Sequence, residues 1–472
     1  MPVSNSDAAT CWTPEIDAAA GPLYLAIAEA LASDVRAGRL AEGARLPPQR
    51  ALAARLGIDF TTVSRAYAEA ARRGLVEGRV GRGTFVRSHG RAEVVSGEAA
   101  SRQDGLVDLT MNLPPRFHDP ELAARMWRGA RDLEAEGGLD LLLRYQDPGG
   151  SRRDRAAGLR WLSPRLPSLA VERVLVCPGA QGALLAVAGL LAAPGDTLCT
   201  EALTYPGFRA LAAQLHLRLA AVPMDADGLI PEAFEAICRD RRPKALCCTP
   251  TLQNPTTATL PLARREALVA IARRHGVAII EDDAYGALPE APLPPLAALA
   301  PDLVYHVAGL AKSVAPALRI AYLAVPDSRA AARVAGAIRA TAGLASPLTA
   351  ALATRWIEEG TAAAVLSAIR REARARQAIA AAILPGDRVQ AHPQGFHLWL
   401  SLPEPWTRGE FAARLRSVGI GVVGSDAFAL LEPPEAVRLA LGAAPGRAEL
   451  KRSLQIAADL LVQSPALSSL VV

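Results

Sequence analysis

The feature that most constrains this chain is an alternation. Beyond Leu106, short apolar runs (RVLVC, DTLCT, KALCCT, VAIIED, DLVYHVAG and IAYLAV) are separated by longer helical stretches. Strands that read as unbroken apolar runs are buried on both faces, which requires a parallel sheet covered by its own crossover helices. The expectation is an α/β domain with a large mixed, mostly parallel sheet. A long alanine-rich helical region over about Ala330–Leu384, strand-like FHLWLSLP and a closing helix near Glu449–Val462 add a smaller α/β lobe. Hydrophobic residues are 51% of 472 and charged residues 21%, ample for such cores and incompatible with disorder as the main state. The longest apolar stretch, around Ala183–Ala193, is shorter than the roughly 18–20 residues of a membrane helix. The start, MPVSNSDAATCW, lacks the basic end and apolar run of a signal peptide. The six cysteines form no CxxC pair, which fits reduced thiols better than a disulfide framework or a metal site. A soluble, cytoplasmic protein without a metal is expected.

The first quarter reads differently. Residues up to about Pro22 look like a loose arm. Leu23, Ile27, Leu31 and Val35 then form one helical stripe. Pro47-Pro48 opens a short helix that Gly57 ends, and TTVSRAYAEAARRG follows with Val63, Ala66, Tyr67 and Ala70 on one face. LVEGRVGRGTFV reads as a hairpin around a Gly-Arg turn. Three helices and a hairpin make a winged helix-turn-helix. Between Arg45 and Arg87 nine arginines face only Asp59, Glu69 and Glu77, a local +6; the total is +5, so the rest is near −1. A basic island on a nearly neutral body points to nucleic acid, and the helix-turn-helix makes double-stranded DNA the expected partner. The boundaries read as 1–88 for the winged helix-turn-helix, 89–105 for a polar linker and 106–472 for the α/β domain. At about 17 residues the linker spans roughly 20–25 Å as a coil.

The second helix of such a motif enters the major groove with its N-terminal residues on base edges. Thr61, Thr62, Ser64 and Arg65 stand there, with Thr61 also expected to cap the helix. Arg50 and the wing residues Arg79 and Arg82 are placed for phosphates or the minor groove, and Gly83 lets the wing backbone approach the duplex. Arg50 has a competing reading as a partner of Glu69. In order and spacing, LPPQR, TTVSRAY, RGLVEGR and GRGTFV resemble the winged-helix domain of the GntR superfamily. Phe60 departs from that pattern, standing where a polar or basic residue is common.

In the α/β part the residue types of pyridoxal 5'-phosphate chemistry occur in a workable order. That chemistry needs a lysine amine for a Schiff base, a carboxylate on the pyridine nitrogen, donors for the ring oxygen, a stacking partner and an anion cradle at a helix start. Of 52 basic residues only Lys244, Lys312 and Lys451 are lysines, so a retained lysine marks a place where arginine cannot serve. Lys312 follows a strand in HVAGLAKSVAPALRIAYL, with Arg319 seven residues on; Asp282 and Tyr285 lie in IIEDDAYG, Asn254 in TPTLQNPTTATL, Tyr205 in TYPG. The N–H groups of Ala180 and Gln181 open a helix after a strand, and Arg438 lies in VRLALG. Several of these positions end strands, where open α/β sheets hold ligands.

This set resembles the fold-type I pyridoxal-phosphate enzymes of the aspartate aminotransferase group, from about Leu106 to Leu461. The resemblance implies Lys312 as the Schiff-base and catalytic lysine, Asp282 on the pyridine nitrogen, and Asn254 and Tyr285 on the ring oxygen. It implies Tyr205 on the ring face, Arg319 on the phosphate and Arg438 on a ligand carboxylate. Asn112 then lies in the covering segment, and Tyr145 reaches the phosphate of a neighbouring subunit. Gly309 and Ala311 depart from the family, which often carries hydroxyls there, as does Thr257, which follows NPT in place of a glycine; Ser313 is a partial substitute for the hydroxyls. A GntR-type winged helix joined to such a domain resembles the MocR subfamily of bacterial regulators. That implies a homodimer, head-to-tail, which senses the cofactor or a small amino compound through an aldimine at Lys312. The alternatives are a working aminotransferase with an accessory DNA-binding domain and a cofactor-free DNA-binding scaffold.

Overall fold

The computed structural model describes residues 12–14, 22–37, 39–41, 43–73, 75–79, 83–86, 107–135 and 138–463. It divides into two compact units, Met1–Ala100 and Ser101–Val472. The expected linker (89–105) and Arg82 lie outside the described residues.

In the first unit α1 (Leu23–Arg36), α2 (Gln49–Leu56) and α3 (Phe60–Arg72) precede an antiparallel hairpin of β1 (Val76–Arg79) and β2 (Gly83–Val86). Ile27 and Leu31 of α1, Leu52 of α2, and Val63, Tyr67 and Ala70 of α3 are buried together with Leu46, Val76 and Val86. Gly57 ends α2 at φ +64°, a left-handed conformation that glycine accepts freely. The Tyr67 hydroxyl donates to Pro47 O at 2.8 Å, holding α3 to the entrance of α2. Arg45 bridges to Phe85, so the wing leans on the segment before α2. Trp12 corrects the expected loose arm: its ring is buried with this core and its Nε1 donates to Asp34 at 2.7 Å.

The second unit opens with β3 (Val107–Asp108), α4 (Pro120–Ala135), α5 (Gly138–Leu143) and α6 (Arg152–Leu162). Its large sheet has the order β4-β12-β11-β10-β9-β5-β6. These strands are β4 (Val174–Cys177), β5 (Thr197–Glu201), β6 (Arg218–Val222), β9 (Ala245–Cys248), β10 (Ala278–Asp282), β11 (Val304–Gly309) and β12 (Ala321–Ala324); a hairpin of β7 (Met224–Asp225) and β8 (Gly228–Leu229) follows β6. Only β12 runs antiparallel to its neighbours. The crossovers are α7 (Gly179–Leu191), α8 (Pro206–Gln214), α9 (Pro231–Arg241), α10 (Leu262–His275), α11 (Leu296–Leu299) and α12 (Ser328–Thr341). Alternate residues serve opposite cores: Val174, Val176, Leu246 and Ile279 in one, Leu175, Cys177, Ala245 and Ile280 in the other. The parallel strands therefore bring the residues after β4, β5, β9, β10 and β11 to one edge.

The expected single helical region is three helices: α12, then α13 (Pro347–Glu358) and α14 (Thr361–Ile383). The smaller lobe is an antiparallel sheet, β13 (Val389–Ala391), β14 (Leu398–Ser401), β17 (Ala436–Leu439) and β16 (Val423–Gly424), in that order, with α15 (Arg408–Ser417) and α16 (Arg447–Leu461). β15 (Ile420–Gly421) pairs in parallel with β3, and Ala440 N donates to Leu109 O at 3.0 Å, so residues 107–112 are laced to this lobe. Gly442 makes the approach possible, since a Cβ there would lie 1.9 Å from Leu113 O. α14 joins the lobes: fully buried Arg376 donates to Leu441 O at 2.7 Å and Ala444 O at 2.9 Å, and Gln377 to Gly395 O and His397 O, each at 3.0 Å.

Candidate functional site

At the shared strand edge the structure gathers Lys312, Asp282, Asn112, Tyr285, Asn254 and Arg438 around one cleft. The Lys312 ammonium donates to the backbone carbonyl of Asn112. Burial, together with nearby Arg438, pulls its pKa down to about 8, against the pull of Asp282. Burial pushes Asp282 up to about 6, with Lys312 and His306 opposing, and its Oδ1 has no hydrogen-bond partner. Asn112 Nδ2 donates to the Tyr285 hydroxyl at 2.8 Å, which leaves that hydroxyl's own proton available. Burial raises the Tyr285 pKa, so the phenol stays a donor. Arg438, on β17, donates to Asn254 Oδ1 at 2.9 Å and to Thr110 O, and its guanidinium lies 5.0 Å from the Phe428 ring centroid. That bond orients the Asn254 amide with its NH2 free to donate.

An anion cradle adjoins the cleft. Pro178, the cap residue of α7, offers no side-chain bond to the first N–H groups, among them those of Ala180 and Gln181. A Cβ on Gly179 would sit 3.7 Å from the Arg319 guanidinium carbon, which places that cation at the helix start; Gly179 itself has φ +76°. Arg319 is held at φ +51°, a conformation that costs a non-glycine residue about 1–3 kcal/mol. A Cβ on Gly309 would meet Ala180 Cβ at 3.3 Å, a tight contact that a side chain there could make only by shifting the start of α7 slightly. Ser313 Oγ is buried without a partner. Gln181 Nε2 is engaged with Gly207 O at 2.8 Å. Tyr205 is 40% exposed at the start of α8, and burial raises the pKa of its hydroxyl, with Asp282 adding to the shift and Arg319 and Arg438 opposing it. Tyr145, which follows α5, is 96% exposed.

Sequence reasoning missed three supporting groups. His397 is buried, its Nε2 lies 3.2 Å from Gln253 O and its ring 5.3 Å from that of Tyr285; burial and Arg438 hold it neutral, with a pKa of about 3. Glu201 accepts from Thr249 N at 2.6 Å at the ends of β5 and β9, and burial lifts it to about 7. Glu281, His306, Asp283 and Arg165 form a buried charge chain beneath Asp282: His306 Nδ1 is 2.8 Å from Glu281 and its Nε2 3.3 Å from Asp283, which pairs with Arg165. A histidine inside the apolar run DLVYHVAG and the acidic cluster that ends VAIIED were the signals in the sequence that pointed there.

In the first unit Thr62 and Ser64 are half-buried and Thr61 and Arg65 exposed at the start of α3. The cap is Asp59 rather than Thr61: Asp59 accepts from Thr61 N at 2.8 Å and from its hydroxyl. Arg50 stands over the Phe60 ring at 5.8 Å, so the unexpected phenyl is a platform for the cation. Glu69 pairs instead with Arg72 and Arg73. Arg65 lies 4.2 Å over the Tyr24 ring of α1. Gly83 has φ +111° with the Arg45 guanidinium 3.0 Å from where a Cβ would be, which adds Arg45 to the basic face. The side chain of Arg79, at the end of β1, lies outside the described residues.

Residues 106–456 match the family described as Aminotransferase class I and II, and residues 23–86 match Bacterial regulatory proteins, gntR family. The HTH-type transcriptional regulator YdeF of Bacillus subtilis is 29% identical over 95% of this chain and 96% of its own. The probable rhizopine catabolism regulatory protein MocR of Rhizobium meliloti is 29% identical over 66% of each chain. Among solved structures, kynurenine aminotransferase of Pyrococcus horikoshii superposes with a TM-score of 0.70 at 20% identity, covering 77% of this chain and 93% of its own.

Proposed function

Because the chain belongs to the aminotransferase class I and II family and carries a gntR-type DNA-binding domain ahead of it, the arrangement of the MocR subfamily, we propose that this transcriptional regulator holds pyridoxal 5'-phosphate in its cleft and reads a small amino compound there. The observation that carries the reading is Lys312 set among Asp282, Asn254 and Arg438 beside an anion cradle. The buried polar atoms that lack protein partners fit the cofactor: Asp282 Oδ1, Ser313 Oγ, Asn112 Oδ1 and Arg438 Nε belong to this region. Asp282 would hold the pyridine nitrogen, Asn254 and Tyr285 the ring oxygen, Tyr205 the ring face, and Arg319 with the N–H groups of Ala180 and Gln181 the phosphate. When bound, the cofactor supplies an aldehyde for amines and a ring that accepts electron density. The chain's own groups do the selecting. Arg438 offers a fork to a carboxylate, and the lowered pKa of Lys312 keeps part of its amine neutral near pH 8.

The assembly fitting this reading is a head-to-tail homodimer in which fully exposed Tyr145 meets the partner's cofactor phosphate. The protein acts in the cytoplasm; among the described residues no helix is long and apolar enough to cross a membrane. In the first unit Arg50, Arg79 and Arg82 would grip phosphates, Gly83 would let the wing approach, and Thr61, Thr62, Ser64 and Arg65 would face base edges. Absorbance and borohydride fixation of the cofactor to Lys312, combined with operator titration, test the proposal. The complete set of cleft groups favours one second reading, an active aminotransferase. Steady amino-group transfer to a 2-oxo acid without any ligand effect on DNA binding would select it.

A further inference from the structure

The side chains of Glu281 and Asp283 flank Asp282 and alternate to the opposite face of the strand. There Asp283 pairs with Arg165, whose side chain is 7% exposed and lines a cavity of about 470 Å³ between the end of α6, the 286–292 turn and the start of α14. The size is that of a small-molecule site. Its walls include Trp161, Pro289, Ile357 and Leu366, and its cations are Arg160, Arg165 and Arg370. Among the described residues the one carboxylate lining it is Glu290, which is bound to Arg374 at 2.5 Å. Arg370 also fixes the turn, donating to Leu288 O at 2.8 Å and Ala287 O at 2.7 Å. Gly286 lets the turn pack against the Arg165–Asp283 pair, since a Cβ there would collide with both.

We propose that this cavity is a second ligand site, separate from the Lys312 cleft, for a small organic acid with an apolar body and no amino group. Planar guanidinium groups match a carboxylate, the apolar walls match a hydrocarbon or aryl body, and three nearby cations reject an ammonium. The class is therefore distinct from the amino compound proposed for the cleft, and the proposal does not depend on that reading.

The test is calorimetric titration of the full-length protein with 3-phenylpropionate, indole-3-acetate and 4-methylpentanoate, against 3-phenylpropionamide and phenethylamine. At least one acid is expected to bind about tenfold more tightly than the amide and amine. Ala363→Trp, from an exposed position of α14 on the cavity wall, should remove that binding, and Arg160→Gln, an exposed change that leaves the Arg165–Asp283 pair intact, should weaken it severalfold. Arg438→Ala should leave it unchanged. The proposal is overturned if none of the acids binds more tightly than about 1 mM, or if amide and acid bind alike. It is equally overturned if a folded Ala363→Trp or Arg160→Gln protein binds as the parent does, or if Arg438→Ala abolishes binding, which would assign the acid to the cleft.

Discussion

At the scale of single residues the cleft was legible where chemistry demands a rare type. Lys312 stood out because the chain otherwise uses arginine, whereas Asp282, Asn254 and Arg438, each ordinary alone, were picked out by their order along the chain and by the family resemblance. His397 and Glu201 were invisible because their roles depend on neighbours distant in sequence, Gln253 and Thr249. Two predictions belong here. The amine of Lys312 is neutral above its lowered pKa of about 8, so attachment of pyridoxal phosphate to the apo-protein should rise with pH and level off just above 8. A rate profile that climbs towards pH 10.5 would show an unperturbed lysine instead. Lys312→Ala should abolish borohydride-fixed cofactor while leaving the fold intact, because its buried neighbour Asp282, already raised to about 6, can take up a proton once the lysine is gone; mass spectrometry after reduction reads the result. In the DNA-binding unit, Arg50→Ala should weaken binding to specific and random DNA alike and reduce the salt slope by about one unit, whereas Ser64→Ala should change sequence preference. Salt-dependent titrations on both kinds of DNA separate the two outcomes.

At the scale of elements, the apolar runs located β4, β5, β9, β10, β11, β12 and β14, whereas α4, α9, α10 and α15 were read only as unnamed helical stretches between strands or not at all, and the reading failed where the pattern carried no contrast. β6, Arg218–Val222, reads RLAAV, too rich in alanine to stand out, and β3 is two residues whose pairing depends on β15 far along the chain. The antiparallel course of β12 has no signature in its own residues. The loop between β9 and α10 shows how an element is held without a strand. Arg265 is fully buried, and its guanidinium donates to Leu260 O, Pro294 O, Pro250 O and Thr251 Oγ1 at 2.9–3.0 Å. Those bonds frame the segment that carries Asn254 and that holds Leu252 and Thr257 at φ +53° and +66°. Arg265→Met keeps the bulk but strands several buried acceptors, each worth about 1–3 kcal/mol. Stability should fall by about 3 kcal/mol or more, with cofactor affinity falling alongside. A chemical denaturation curve close to that of the parent would show that the loop is held by something else.

At the scale of the whole molecule, the proposed sensing requires that a ligand in the cleft alter DNA affinity. Linkage sets the terms: a ligand shifts operator binding only as far as it binds two states of the protein unequally, typically by about 5–150-fold. The cleft contains a contact suited to that role. Arg438 of the smaller lobe is bound to Asn254 of the sheet domain and to Thr110 of the segment laced to β15, and its Nε is unpartnered. A carboxylate arriving at this guanidinium competes with bonds that join three separate parts of the fold, so occupied and empty protein differ in how those parts are tied. A simple amine, which lacks the carboxylate, leaves Arg438 as it is. The expected outcome is therefore graded. In operator titrations, holo-protein with an amino acid should differ from holo-protein alone, an amine without a carboxylate should have a smaller effect, and Arg438→Ala should erase the difference between the two ligands. Lys312→Ala should blunt both. If amine and amino acid shift the isotherm equally in the parent protein, the signal arises at Lys312 alone and Arg438 serves affinity rather than coupling.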